Sequence, residues 1–143
     1  MRSSHSSLAN LLSLFKVKIN YVSPSILRMP AAQVAELKAR GVAQQEIEDV
    51  KKVLADTDVL YVTRVQKERF ADLKEYDQVK GAYVINKALM LGAKKHMAVM
   101  HPLPRVDEIS PDFDADPRAA YFRQVEYGMF TRMALLGGVM GKL

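Results

Sequence analysis

The sequence predicts an α/β domain in which helices cover both faces of a mostly parallel sheet. Apolar strand-like runs alternate with helix-like segments at short intervals, a pattern typical of parallel strands joined by helices. Two of these runs, Asp58–Val62 and His96–Met100, lead into polar or proline-rich loops. A chain of 143 residues can bury roughly 68–70 % of the surface that its unfolded state exposes. We therefore expect residues 1–143 to form one domain with a Rossmann-like three-layer architecture.

The first half of the chain alternates predicted helices and strands. In chain order these are a helix Ser4–Phe15, a strand Lys16–Val22, a helix Ala31–Arg40, a weak strand Val42–Glu46 and a short helix Glu48–Ala55. The first helix is predicted from a compact apolar face made of Leu8, Leu11, Leu12 and Phe15. Pro30 is expected at the first position of the second helix, and Gly41 as its C-terminal cap.

The second half continues the same alternation. It contains a strong strand Val59–Val62, a partly helical segment Phe70–Lys80, a short strand Ala82–Ile85, a helix from the capping residue Asn86 to Leu91, a strand His96–Met100 and an acidic loop Asp107–Asp116. A long last helix is expected to run through about Met140, with Asp116 as its N-cap and Pro117 at its first position. The end of this helix is more apolar than a solvated terminus, so we expect it to lie against something outside this chain.

Composition excludes several classes of function. The chain is 49 % hydrophobic and 26 % charged, which is typical of a globular protein, and no apolar run approaches the ~18 residues of a membrane helix. It has no cysteine, so disulfides and thiolate metal sites are impossible, and its three scattered histidines do not indicate a zinc site. The net charge of +5 is compatible with an anionic ligand or nucleic acid, but the basic residues are dispersed, which argues against nucleic acid.

The loop His101-Pro102-Leu103-Pro104-Arg105 follows a predicted strand directly. Two prolines one residue apart cannot continue a central strand, so the chain must leave the sheet in a rigid loop. In open α/β sheets, ligands bind at this carboxyl end of the strands. His101 is either a general base or, more commonly for a histidine at a strand end, a hydrogen-bonding scaffold residue. Arg105 either contacts a ligand or ties the loop to Asp107 or Glu108.

A second loop of this kind follows Val59–Val62 and carries Arg64, Gln66 and Glu68. Arg64 and Gln66 can face one way on an extended loop, and a guanidinium with a carboxamide suits a carboxylate ligand. Glu68 could hold Arg64 in place, and Arg2 stands ahead of a helix N-terminus that favours anions. The alternative is that all four side chains form surface ion pairs. No glycine-rich phosphate loop or GxSxG motif is present, so nucleotide-dependent and serine-nucleophile chemistry lack support.

Three stretches in combination resemble the aspartate carbamoyltransferase family. They are Thr63-Arg64-Val65-Gln66-Lys67-Glu68-Arg69, His101-Pro102-Leu103-Pro104-Arg105-Val106-Asp107-Glu108-Ile109 and Asp116-Pro117-Arg118-Ala119-Ala120-Tyr121-Phe122-Arg123-Gln124. The resemblance covers essentially the whole chain and corresponds to the family's C-terminal, aspartate-binding domain. The stretch Asp116–Gln124 and the closing Arg132–Leu136 are most similar to the version fused into the eukaryotic multifunctional pyrimidine-synthesis protein.

The resemblance implies a role for each site residue. Arg64 would bind the side-chain carboxylate of L-aspartate, with Gln66 assisting and Glu68 orienting, and Arg2 would bind near the α-carboxylate. The loop formed by Pro102, Leu103 and Pro104 would meet carbamoyl phosphate and the attacking amine through its backbone, and Arg105 would orient that loop. The resemblance assigns a catalytic role to no residue, and it implies neither a metal nor an organic cofactor.

The resemblance also implies a reaction and its partners. The family transfers the carbamoyl group of carbamoyl phosphate to the amine of L-aspartate in cytoplasmic pyrimidine synthesis. The carbamoyl-phosphate domain is absent from this sequence, so we expect no turnover from the chain alone, and the last helix would pack on that domain. The full enzyme would be a homotrimer and the isolated domain could be a monomer, with no nucleic-acid or membrane partner. The alternatives are a non-catalytic scaffold or assembly fragment and an ornithine-type carbamoyltransferase domain.

Overall fold

The computed structural model describes residues 4–66, 70 and 72–142 and has an α/β fold. Its helices and strands are α1 (Ser4–Leu12), β1 (Lys18–Val22), α2 (Ala31–Ala39), β2 (Ala43–Ile47), α3 (Lys51–Leu54), β3 (Val59–Tyr61), α4 (Leu73–Val79), β4 (Ala98–Met100) and α5 (Tyr121–Val139). Short 3₁₀ segments lie at Ser25–Leu27, Leu89–Gly92 and Pro111–Phe113. The strands pair in parallel in both sheets, which confirms the predicted fold class.

The chain up to Val53 forms one compact unit around the parallel strands β1 and β2. The register of this pair places Lys18 opposite Ala43 and Val22 opposite Ile47. Its core consists of apolar side chains from α1, α2 and the segments beside them, namely Ala9, Met29 and Leu37, with Tyr21, Val34 and Val42 packed against them. Because α2 connects the two strands, this unit is a β–α–β motif.

Two details of this first unit differ from the sequence-based expectation. Helix α1 ends at Leu12, and the chain then turns tightly, with the Phe15 N–H donating to the Leu12 carbonyl three residues back. The predicted apolar face is therefore wrong for Leu11 and Phe15, which are exposed, whereas Ala9 is buried. Pro30 is the N-cap residue of α2 and not its first helical residue.

The chain from Leu54 onward forms a second compact unit around β3 and β4. β4 lies between two partners: it pairs with β3 on one side, and Val99 bonds the segment before α5 on the other. The Val99 N–H donates to the Arg118 carbonyl at 2.8 Å, and the Val99 carbonyl accepts from the Ala120 N–H at 2.9 Å. Val99 is completely buried, so β4 is the centre of this unit.

The pairing at Val99 changes where the last helix begins. The sequence placed the N-cap at Asp116, but α5 starts at Tyr121 with Ala120 as its N-cap. The Arg118 carbonyl and the Ala120 N–H are bonded to Val99 of β4, so neither is available for the backbone hydrogen bonds of a helix that begins directly after Asp116. The Asp116 carboxylate accepts hydrogen bonds from the Arg118 side chain at 2.8 and 2.9 Å and from the Arg118 backbone N–H at 2.9 Å, and these bonds lower the pKa of Asp116.

The predicted strand Ala82–Ile85 is also wrong. Only Ile85 forms a bridge, to Ile109, with one hydrogen bond to Glu108 and one from Ser110. The expected helix after Asn86 is a 3₁₀ turn, although the Asn86 side chain does accept the Leu89 N–H at 2.8 Å. Both elements are too short for their pattern to distinguish a strand or helix from a turn.

Candidate functional site

The carboxyl ends of β3 and β4 lie side by side. Tyr61 is opposite Met100, and the Val62 N–H donates to the Met100 carbonyl at 2.8 Å. Both loops identified from the sequence therefore leave the same edge of the same sheet. One loop carries Arg64, and the other begins at His101. This is the edge at which open α/β sheets bind their ligands.

The predicted anion-binding residues are only partly described. Arg64 is exposed on the loop after β3, and Gln66, two residues further on, is half-buried. The expected contributions of Arg2 and Glu68 fall on residues outside the described part of the chain. The orientation of Arg64 by Glu68 therefore stays a prediction.

His101 is buried under the loop that follows β4, with 1 % of its side chain exposed. Its Nδ1 accepts the Leu103 N–H at 2.8 Å, and its Nε2 lies 2.7 Å from Oε1 of Glu108. An Nδ1 that accepts a hydrogen bond carries no proton, so the proton of the neutral ring is on Nε2 and is donated to Glu108. This geometry favours the scaffold interpretation of His101 over a general base, because both ring nitrogens are occupied inside the protein.

The loop itself has an unusual backbone at Leu103. Its φ angle is +50°, in the left-handed region, and such a conformation costs a non-glycine residue about 1–3 kcal/mol. The Leu103–Pro104 peptide bond is cis. Pro102 and Pro104 are exposed, and Leu103 is half-buried. Surrounding contacts must hold this conformation in place.

Helix α5 supplies one of those contacts. The Gln124 side chain, one turn into α5, accepts the His101 N–H at 2.9 Å. The loop is thus fixed at its first residue by the helix that packs against β4. Sequence reasoning missed this role of Gln124.

Arg105 anchors the other end of the loop, but not to the predicted partners. The expectation that it binds Asp107 or Glu108 is wrong, because its guanidinium makes a two-pronged contact with Asp114, with Nη2 2.6 Å from Oδ2. The Tyr121 hydroxyl donates to the same carboxylate at 2.6 Å. Glu108 is already engaged by His101, which leaves Asp114 as the acceptor for Arg105.

The charges in this cluster shift one another's protonation. Arg105 lowers the pKa of Asp114, and the Asp114 carboxylate in turn raises the pKa of Arg105. Burial, together with the hydrogen bond to Asp114, raises the pKa of Tyr121 to about 12. The cluster is therefore fixed in one charge state, with Arg105 cationic, Asp114 anionic and Tyr121 neutral at neutral pH.

Two signals in the sequence pointed toward the missed residues. Tyr121 and Gln124 are three apart at the start of a helix, so they share one face. Asp114 lies within the acidic loop that the sequence analysis identified. Neither signal says which cation or backbone group each side chain meets.

The described residues contain no group of three histidine, aspartate or glutamate side chains that could hold a metal ion. Within the same residues, no helix is long and apolar enough to cross a membrane. A cavity of about 450 Å³ lies in the first unit and includes none of the predicted site residues. It is lined by Tyr21, Val34, Lys38, Val42, Ala43, Gln44, Gln45 and Glu46.

Comparisons with known proteins give the family. The model of the aspartate/ornithine carbamoyltransferase Asp/Orn-binding domain matches residues 2–138. The chain is 53 % identical over 136 residues to multifunctional protein CAD of Squalus acanthias, covering 95 % of this chain and 6 % of that protein.

Solved structures agree with this match. The catalytic subunit of M. jannaschii aspartate transcarbamoylase has a TM-score of 0.86 and 46 % identity, covering 96 % of this chain and 44 % of that one. Aspartate transcarbamoylase from Trypanosoma cruzi, in complex with carbamoyl phosphate and aspartate, has a TM-score of 0.84 and 44 % identity, covering 93 % of this chain and 45 % of that one. The fold is therefore Rossmann-like, and the chain spans less than half of the proteins it matches. The chain belongs to the aspartate/ornithine carbamoyltransferase family, of which it is the Asp/Orn-binding domain.

Proposed function

We propose that residues 1–143 are the L-aspartate-binding domain of an aspartate carbamoyltransferase in de novo pyrimidine synthesis. The observation that carries the proposal is the shared edge of β3 and β4, from which the Arg64 loop and the His101–Arg105 loop both leave. An exposed guanidinium beside a rigid loop of outward backbone groups suits a dicarboxylate amino acid that must meet a second substrate. The similar T. cruzi enzyme binds carbamoyl phosphate and aspartate.

In the proposed site, Arg64 binds the side-chain carboxylate of L-aspartate and Gln66 assists. Glu68 orients Arg64, and Arg2 binds near the α-carboxylate. A guanidinium binds a carboxylate through two parallel hydrogen bonds, which fixes orientation as well as affinity. Arg64 therefore selects for a second carboxylate on the substrate.

The loop Pro102-Leu103-Pro104 meets carbamoyl phosphate and the attacking amine through its backbone, and Arg105 orients this loop through Asp114. The aspartate amine attacks the carbamoyl carbon, the new C–N bond forms, and the C–O bond to phosphate breaks. The products are N-carbamoyl-L-aspartate and phosphate, and the departing phosphate takes up the proton that the amine loses. Positioning and electrostatic stabilisation carry this reaction, which needs no cofactor.

The phosphate of carbamoyl phosphate would be bound by a carbamoyl-phosphate domain, which these 143 residues do not contain. We propose that turnover requires that domain in a cytoplasmic homotrimer. The presence of a further domain is supported by helix α5, which exposes apolar side chains along its length. They include Phe130, Met133, Leu135, Leu136 and Val139. This surface would pack on the carbamoyl-phosphate domain.

Two alternatives predict different ligands. An ornithine-type domain would have to place an ammonium group beside Arg64, where two cations would repel each other. A scaffold fragment would bind neither amino acid.

Calorimetric titration of the chain with L-aspartate, succinate and L-ornithine separates these alternatives. We expect heat from the two dicarboxylates only, and its loss in Arg64→Ala. The matched control is Arg28→Ala, an exposed arginine of the first unit that pairs with Glu48 at 3.3 Å.

The same substitutions in a complete catalytic chain, with this sequence after a carbamoyl-phosphate domain, extend the test to turnover. Arg64→Ala should lower kcat/KM for aspartate by roughly 100-fold or more, because truncating one partner of a hydrogen-bonded charge pair costs at least about 2–3 kcal/mol. An Arg64→Ala enzyme with the unchanged enzyme's kcat/KM would refute the proposed role of this residue.

A further inference from the structure

Among the described residues, His101 and Glu108 are the buried histidine and the buried carboxylate, and the reaction proposed above uses neither. They lie at the two ends of the loop that contains both prolines. Burial of such groups is costly unless their hydrogen bonds are satisfied, so their presence calls for an explanation.

Every hydrogen-bonding atom of this pair is matched. His101 Nδ1 accepts from the Leu103 N–H at 2.8 Å, and Nε2 meets Oε1 of Glu108 at 2.7 Å. The other carboxylate oxygen, Oε2, accepts the N–H groups of Val106 and Asp107, each at 3.2 Å. The pair thus binds backbone N–H groups on both sides of Pro104.

The hydrogen bond from the Leu103 N–H to His101 also sets the direction of the Pro102 carbonyl. The Pro102–Leu103 peptide is trans, so its N–H and C=O point in opposite directions. Because the N–H points inward to the buried ring, the Pro102 carbonyl points away from His101, on a residue that is itself exposed.

We propose that His101 and Glu108 are positioning residues: they fix the Pro102–Leu103 peptide so that the loop presents its carbonyl groups to the reacting amine. This inference rests on the proposed function and assigns a role to two side chains that contact no substrate. The arrangement requires the Nε2-protonated tautomer of His101, because a proton on Nδ1 would face the Leu103 N–H, donor against donor.

The arrangement also requires a carboxylate at position 108, since both oxygens accept. In Glu108→Gln, the amide NH₂ must face either His101 Nε2 or the two backbone N–H groups. In the first orientation the imidazole must move its proton to Nδ1 and release Leu103. In the second orientation, the amide NH₂ faces the N–H groups of Val106 and Asp107, so three donor groups meet without an acceptor. Neither orientation preserves the loop.

The first experiment measures the tautomer directly, without substrate. Nitrogen-15 NMR of the imidazoles in the full chain should show His101 Nδ1 unprotonated and Nε2 protonated, and the Leu103 amide should exchange slowly. Glu108→Gln should alter the Nδ1 signal and speed exchange at Leu103 about tenfold or more, as expected for the loss of one hydrogen bond. The matched control is Asp58→Asn, which changes the carboxylate beside the exposed His96 and should leave His101 unchanged. Unaltered His101 and Leu103 signals in Glu108→Gln would overturn the inference.

The second experiment separates positioning from structure in the complete catalytic chain. In His101→Asn, the shorter side chain can still accept the N–H two residues on, as asparagine does in turns, whereas His101→Leu keeps bulk but accepts nothing. We expect His101→Leu to lower kcat about 10–100-fold, since small misplacements near reacting groups cost that much, and His101→Asn to recover at least part of it. The aspartate KM should change less than about threefold in both, because Arg64 lies on the other loop.

Equal kcat losses in the two variants, or no loss in His101→Leu, would contradict the positioning role. If His101→Leu does not fold, the same kinetic split is expected of Glu108→Gln, and its absence there counts against the inference. Failure of the aspartate titration alone would remove the proposed function and leave the tautomer result standing, so the two failures are distinguishable.

Discussion

The two ends of the β3–β4 pair carry similar residue types in opposite surroundings. At the carboxyl end, His101 and Glu108 are 2.7 Å apart with side chains 1 % and 10 % exposed. At the amino end, His96 and Asp58 are 3.7 Å apart with side chains 77 % and 70 % exposed. Both are histidine–carboxylate pairs. Only in the buried pair do the remaining side-chain polar atoms, Nδ1 of His101 and Oε2 of Glu108, accept hydrogen bonds from the loop backbone.

The comparison extends to the cations beside each pair. At the carboxyl end, Arg105 forms a bidentate ion pair with Asp114. At the amino end, Lys94 lies 2.7 Å from the exposed carboxylate of Asp58. Exposed ion pairs contribute little because water and salt screen them, and buried groups cost much when a partner is lost. The type of contact therefore does not decide its importance; burial and the number of shared partners do. The buried network lies at the strand edge where such sheets bind ligands.

The largest expected difference comes from removing one carboxylate at each end. Glu108→Ala leaves the His101 Nε2–H and two backbone N–H groups without their acceptor, and we expect a loss of about 2–3 kcal/mol in the free energy of unfolding. Asp58→Ala should change stability little. Urea denaturation of both variants checks this, and a larger loss for Asp58→Ala would reverse the comparison.

Asp114→Asn should have an intermediate effect that depends on pH. Because Arg105 lowers the pKa of Asp114 in the folded state, the carboxylate stabilises the protein above its ordinary pKa of about 4. That contribution disappears as the pH falls through the lowered folded-state value.

We expect the variant to lose about 1.5 kcal/mol at neutral pH, as for a hydrogen bond to a charged group. Its stability should also fall less steeply than the unchanged protein's under acid. Unfolding measured from pH 7 down to pH 2 tests both statements. Parallel acid profiles for the two proteins would show that Asp114 does not contribute.

Tyr121→Phe tests the same cluster of Arg105, Asp114 and Tyr121 at alkaline pH. The Tyr121 pKa is raised to about 12, so the folded protein holds the phenol proton more tightly than the unfolded chain does. Stability from this group is complete below about pH 10 and is lost as the pH rises toward 12.

The variant should lose about 1 kcal/mol at neutral pH and show a shallower alkaline decline. In a spectroscopic titration of the tyrosine phenols, the component that titrates at the highest pH should be missing from Tyr121→Phe. Retention of that component in Tyr121→Phe would assign it to another tyrosine.

The smallest effect is expected at the exposed end. Lys94 lowers the pKa of Asp58 through a hydrogen bond and its charge. Lys94→Ala should therefore raise the Asp58 pKa toward its ordinary value without a measurable change in stability. NMR titration of the carboxyl group checks this, and added salt should reduce the difference between the two proteins. A salt-insensitive shift would mean that this end is less open than the structure shows.

Much of the fold followed from local patterns. The strand cores at Lys18–Val22 and Val59–Tyr61, the helix Ala31–Ala39 and the turn at Gly41, whose φ is +75°, lie where alternation, apolar runs and glycine placed them. Boundaries failed where a distant segment competed for the backbone. Val99 draws Arg118 and Ala120 into a bridge, and this pairing delays the last helix to Tyr121.

The sequence by itself determined the parallel α/β class, the two strand-end loops and the arginine that each carries, because these depend on periodicity and on what proline cannot do. Only the tertiary structure decided the partners within the site. In the structure, His101 hydrogen-bonds to Glu108 and to the Leu103 N–H, and the Gln124 side chain accepts the His101 N–H. Arg105 pairs with Asp114 and not with Asp107. A side chain's chemistry states what it can bind, but the path of the chain through space selects which of several equivalent partners it meets. In this domain, the parallel pairing of β3 and β4 brings the two arginine-bearing loops to the same edge of one sheet.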